Sequence, residues 1–88
     1  MATIKKFEDI EIWQLARKLN KEMYPFLKSL IETKNYELNK QMEKAAGSIM
    51  DNVAEGFERD GTHEFIQFLA ISKGSIGEIQ SQLYRALD

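Results

Sequence analysis

Residues Ser48–Gly61 read SIMDNVAEGFERDG. Ile49, Val53 and Phe57 recur every four residues, the spacing of one face of an α-helix rather than of a strand. Ser48, Asn52 and Glu55 stand at i, i+4 and i+7, a spacing ordinarily occupied by core residues. With Ile49 at the centre of the buried arc, Gln41, Ser48, Asn52 and Glu55 form a band displaced by roughly 60 to 120° to one side. Such a band flanks the core, and a half-buried amide or carboxylate left without partners costs about 1 to 3 kcal/mol. Ser75, Glu78 and Gln82, further along the chain, are candidate partners, as are the same groups on a neighbouring subunit. An ordinary solvated boundary stripe is the alternative.

Outward from this stretch the same periodicity continues. The segment from Leu38 to Phe57 places Leu38, Met42, Ala45, Ala46, Ile49, Val53 and Phe57 on one face, with Gly56 as the expected C-cap. Upstream, Ile12, Ala16, Leu19, Met23, Phe26, Leu27 and Leu30 form one apolar stripe, which predicts a helix over 7–31. Pro25 lies inside it and predicts a kink near Lys21–Pro25. The break Thr33–Glu37 has too few apolar residues to pack, and Asn35 suits a turn. Downstream, a helix over 63–87 is expected, with Thr62 as N-cap and Glu64 in the first turn, where a carboxylate favours the helix dipole. Its apolar arc contains Phe65, Phe68, Leu69, Ser72, Ile76, Ile79, Leu83 and Leu87. No segment alternates with period two over the length of a strand. The predicted class is all-α: a single domain over 1–88, an antiparallel up-and-down bundle with three helices in this chain.

The third helix carries a second irregularity. Ala70, Gly74, Gly77 and Ser81 line a face nearly opposite its large apolar residues, and each mid-helix glycine costs about 1 kcal/mol relative to alanine. Small residues in this register let another backbone approach closely, so a helix contact is expected there.

The chain has 88 residues, no cysteine and one histidine. A domain this short buries only roughly 60 to 65% of its unfolded surface when it folds alone, and no disulfide can supplement the core. Helix packing or oligomerisation must do so. No signal-peptide-like run and no span of 18 or more apolar residues occurs, so a cytoplasmic protein without membrane partners is expected. The formal net charge of −2 gives no long-range attraction for phosphate backbones. Nucleic-acid binding would need a local patch, for which Lys5, Lys6, Arg17, Lys18, Lys21 and Lys28 are the candidates; Glu8, Asp9, Glu11 and Glu22 interrupt them in sequence. His63 lies beside the expected N-cap, where a solvated residue is expected rather than a ligand, and a di-metal bundle would need Glu-x-x-His motifs on two helices. No nucleophile–base pair and no Gly-rich phosphate loop is present, because GSIGE (Gly74–Glu78) falls within a helix. No catalytic residue, cofactor, metal or small-molecule substrate is therefore expected. A composite site around Glu55, Arg59 and Glu78 would be the enzyme alternative.

Three segments together carry a family resemblance: FEDIEIWQLA (7–16), then Gln41 with AAGSIMDNVAEGFER (45–59), then EFIQFLAISKGSIGEIQSQLYRA (64–86). The pattern SIxxNxAEGxxR followed by EFxxFLxxxxGSxxEx resembles the 23S rRNA intervening-sequence proteins, also called S23 ribosomal proteins, across nearly the whole chain. The resemblance implies a bacterial four-helix bundle assembled as a homopentamer, with the fourth helix absent or truncated here, and a possible RNA or ribonucleoprotein partner. Its signature positions fall on Ser48, Asn52, Ala54, Glu55, Gly56 and Arg59, and on Glu64, Phe65, Phe68, Leu69, Gly74, Ser75 and Glu78. A related branch, the accessory proteins of diversity-generating retroelements, implies the alternative of direct nucleic-acid binding.

Overall fold

The structure is a computed structural model that describes residues 4–88. A 3₁₀ turn (Phe7–Asp9) precedes three helices, α1 (Glu11–Glu32), α2 (Tyr36–Glu58) and α3 (Thr62–Leu87), and no strand occurs among the described residues. The all-α helical bundle is thus the observed class. Cross-helix hydrogen bonds fix the directions: Asn20 reaches Ala46 and Asn39 reaches Leu27 between α1 and α2, while Ser72 reaches Ile49 and Arg85 reaches Gln41 between α2 and α3. Both pairs are antiparallel. The helices form an open layer rather than a closed triangle, because α2 packs against both neighbours while no Cα of α1 lies within 8 Å of one in α3. The molecule is accordingly thin, about 47 × 20 × 15 Å.

The middle helix supplies most of the core. Leu38, Met42, Ala45, Ala46, Ile49 and Val53 of α2 are buried, joined by Ala16, Met23 and Leu30 of α1 and by Ile79 of α3. Leu19, Phe26 and Leu27 are partly buried against this cluster. Ile12 departs from its expected place in the stripe and is 47% exposed. The reason lies at the start of α1. Instead of running as helix from Phe7, the chain makes the 3₁₀ turn and passes through Ile10 in extended conformation before α1 begins. This break buries Ile10 and lets Phe7 meet Trp13 edge-on at 5.2 Å. α1 then continues through Pro25 without interruption. Pro25 and Lys21 are both exposed, so water can serve the carbonyl that loses its N–H partner.

Both connections differ in detail from the sequence expectations. Between α1 and α2 it is Lys34, not Asn35, that turns the chain, with φ of +65°. Asn35 N–H donates to Leu30 O and Lys34 N–H to Ile31 O, the paired bonds of a Schellman cap. At the other end Gly56 is not a C-cap. α2 continues to Glu58 and is capped by Arg59 with an ordinary φ of −74°. Gly56 is buried, and a Cβ placed on it would lie 2.7 Å from the Cβ of Phe68 and 3.0 Å from the ring of Phe65. It is glycine because α3 crosses too close for a side chain. Thr62 likewise begins α3 rather than capping it; the N-cap is Gly61, whose φ of +153° favours glycine.

These two kinds of glycine can be separated by mutation. Gly56→Ala should lower stability by about 1 to 3 kcal/mol through overpacking, outweighing the gain in helix propensity. Gly47→Ala, at a helical position with nothing within 4 Å of the new Cβ, should raise stability by up to about 1 kcal/mol. Thermal denaturation of the two variants reads both signs.

Candidate functional site

The surface of α3 that meets α2 is largely polar. Ser72, Ser75, Ile79 and Gln82 are its buried residues, whereas Ile76, Leu83 and Leu87, expected in the core arc, are 42%, 41% and 81% exposed. Helix geometry explains the shift. The α2-facing line runs through Phe68, Ser75, Ile79 and Gln82, which rotates the larger aliphatic side chains roughly 60 to 100° away from it. Small and hydroxyl side chains suit the seam because they let the two backbones come close: Ser72 Oγ donates to the Ile49 carbonyl at 3.1 Å.

Part of the polar band on α2 is organised by this seam. Ser75 Oγ donates to Ser48 Oγ at 2.9 Å, and Asn52 Nδ2 donates to both the Ser48 carbonyl and Ser48 Oγ at 2.8 Å. Ser48 and Asn52 are half-buried and Ser75 is buried, so the three form one bonded cluster beside the core. Gln41 lies on the same side and accepts from Arg85 Nη1 at 2.8 Å. Glu55 and Arg59 do not join the cluster. They are exposed and pair with each other at 3.3 Å, while the Arg59 guanidinium sits 5.3 Å from the centre of the Phe68 ring. Glu78 is exposed and makes no side-chain hydrogen bond with the described residues.

Along the seam lies an open groove of about 600 Å³, with Gln41, Lys44, Ser48, Ser75, Glu78, Ser81, Gln82 and Arg85 among its lining residues. Five positions of the band and its proposed partners, Gln41, Ser48, Ser75, Glu78 and Gln82, therefore come together there. Gln82 is 6% exposed, and its Oε1 is buried with no hydrogen-bond partner. Lys44 and Arg85 escaped the sequence reading. Arg85 had a signal, since Glu78, Gln82 and Arg85 repeat the i, i+4, i+7 spacing of Ser48, Asn52 and Glu55. Asn20 and Asn39 were also missed. They occupy the other seam, where Asn20 Nδ2 donates to the carbonyls of Ala16 and Ala46 at 2.9 Å and Asn39 Nδ2 to that of Leu27 at 2.8 Å.

The groove offers amides, hydroxyls, two cations and one carboxylate, a set suited to recognising a polar surface. No group of three or more His, Asp or Glu side chains able to hold a metal occurs among the described residues, and no helix among them is long and apolar enough to cross a membrane. Ala70, Gly74 and Gly77 are exposed on the remaining face of α3, with open space at both glycines, and Ser81, also exposed, stands between that face and the groove.

Cluster and orphan should respond oppositely to apolar substitution. Asn52→Leu breaks two hydrogen bonds made beside the core and should destabilise the protein by about 1 to 3 kcal/mol. Gln82→Met removes an oxygen that has no partner and should leave the melting temperature unchanged or raise it. Chemical denaturation of both variants checks the pair.

The family model described as 23S rRNA-intervening sequence protein matches residues 8–88, all but the first seven positions of the chain. No curated protein and no solved structure matches it. On this match, which takes in all three helices and both seams, the chain belongs to the 23S rRNA-intervening sequence protein family.

Proposed function

We propose that this chain is a non-enzymatic, cytoplasmic bundle protein that assembles with copies of itself and presents the assembled surface to a partner in a ribonucleoprotein setting. One observation carries the reading: α1 and α3 flank α2 with no Cα of one within 8 Å of the other, and each turns large apolar side chains to solvent. On α1 these include Ile12 and Leu15, and on α3 Ile76, Leu83 and Leu87. Fully burying a side chain of this kind is worth about 1.5 to 3 kcal/mol, and contiguous exposed apolar surface marks an interaction site. A second copy is the occupant we assign, because helices with such faces can pack by the same ridges and grooves that join α2 to its neighbours. The resemblance in sequence implies a pentamer. The small-residue face at Gly74 and Gly77 offers a further place for close helix approach.

Sedimentation of the whole chain tests this. The parent should sediment as a homo-oligomer, a pentamer on this reading, and Ile76→Glu with Leu83→Glu should dissociate it at the same concentration while helix content persists. A parent that sediments as a monomer would overturn the assembly. Gly74→Leu with Gly77→Leu separates the two faces of α3. A smaller or unfolded species assigns the glycine face to an interface; unchanged size with a higher melting temperature shows that it meets only water.

A further inference from the structure

The Gln41–Arg85 and Ser48–Ser75 hydrogen bonds bracket the α2–α3 groove at its two ends. Between them stand groups with unused bonding capacity. Gln82 is buried, yet its Oε1 has no partner. Lys44 on the α2 wall and Glu78 on the α3 wall are exposed, and neither makes an ion pair within 4.0 Å among the described residues, where the one such pair is Glu55–Arg59. Ser48 Oγ already accepts from Ser75 and Asn52, so its own O–H is left to donate.

A buried acceptor without a donor burdens the fold, so Gln82 is explained if its donor arrives from outside. The terminal torsion of a glutamine is soft, and a small rotation turns Oε1 to the groove floor. The charges around it are ordered along the groove. Arg85 stands at one end, Lys44 near the centre, and Glu78 toward the Ser48–Ser75 end. An occupant that satisfies them all brings an anion to Arg85 and Lys44, a hydrogen-bond donor to Gln82 and a cation to Glu78. Length narrows the choice. From Ser75 to Arg85 the α3 wall runs about 15 Å, longer than a single amino acid and equal to about five residues of extended chain. A helix would not serve, because its N–H groups are already bonded to its own carbonyls. An extended segment keeps them free for Gln82.

We propose that the α2–α3 groove binds a short extended peptide segment of a partner protein, with an acidic residue two positions from a basic one. The acid meets Arg85 and Lys44, the base meets Glu78, and a backbone N–H donates to Gln82 Oε1. With the segment edge-on, its N–H groups point at the floor and its side chains at the walls; residues i and i+2 share one wall about 6.6 Å apart. The groove lies roughly 100 to 160° round α3 from Ile76 and Leu83, so it stays open when those side chains are covered. The inference rests on the reading of this chain as a bundle that presents a surface to a partner, and it names the chemistry of that partner; it does not depend on the number of copies.

The test is an NMR titration of the whole isotope-labelled chain, into the millimolar range, with three terminally blocked peptides: Gly-Lys-Ser-Glu-Gly, Gly-Glu-Ser-Lys-Gly and the neutral Gly-Gln-Ser-Gln-Gly. A charged peptide should shift the Gln82 side-chain amide together with backbone amides over 41–48 and 75–85, and should bind more tightly than the neutral one. Whichever charge order binds better fixes the direction of the segment and supports the site. Gln82→Met, which keeps or raises the melting temperature, should weaken binding about 2- to 13-fold. Lys44→Gln with Arg85→Gln should weaken the charged peptide about 2- to 30-fold and bring it to the level of the neutral one. Sedimentation of the same samples reports assembly separately, so a monomeric chain that binds the peptide keeps this site and loses only the assembly. The proposal is overturned if neither charged peptide shifts these amides, if the neutral peptide or free glycine binds as tightly, or if Gln82→Met leaves the affinity unchanged.

Discussion

Everything in this fold depends on how closely α3 can approach α2. At one end of their seam Gly56 leaves no room for even a methyl group beneath Phe68, and further along Ser72 bonds directly to the Ile49 carbonyl of the facing helix. That closeness makes hydroxyls and amides, rather than large aliphatic groups, the natural occupants of the interface, because small polar side chains fill a narrow gap and can bond across it. The polar band on α2 follows from this. Ser48 and Asn52 stand beside the core because Ser75 stands opposite, and the aliphatic residues of α3 are turned aside because the seam has no space for them.

The helices were legible in the sequence, and their boundaries and partners less so. Period and stripe identified the buried face of α2 almost residue for residue, because α2 is packed on both sides and its pattern is complete. The arc on α3 misled for the opposite reason. Periodicity reports which residues are apolar, not which of them a single neighbour can reach, and Ile76 and Leu83 satisfy the pattern while standing in solvent. Gly56 shows the same limit. Its position near the end of an apolar run suggests a cap, but its cause is the Cβ of Phe68 twelve residues later, a tertiary fact with no local signal. Lys34 in left-handed conformation was hidden by the more suitable Asn35 next to it.

The candidate site was half readable. Gln41, Ser48 and Asn52, together with Ser75 and Gln82, announced themselves as polar groups at core spacing; all but Asn52 meet in one groove, and Asn52 bonds to Ser48 beside it. Glu55 and Arg59 shared the spacing but lie where the helix surface is open, and they satisfy each other there. Several of the residues that carry the resemblance in sequence, Ser48, Gly56, Phe68 and Ser75, meet at the α2–α3 seam.

The separation of the α1 backbone from that of α3 also orders the protein's local stability. α2 and α3 are joined by a short turn and an extensive antiparallel seam, so their hairpin contains most of the interactions between residues close in sequence. α1 is held by one side only, along α2. Its amides can therefore exchange with solvent by a sub-global opening in which α1 lifts away while the α2–α3 hairpin remains paired, and protection in α2 should exceed protection in α1 throughout. The same asymmetry makes the hairpin the natural folding nucleus, onto which α1 docks last.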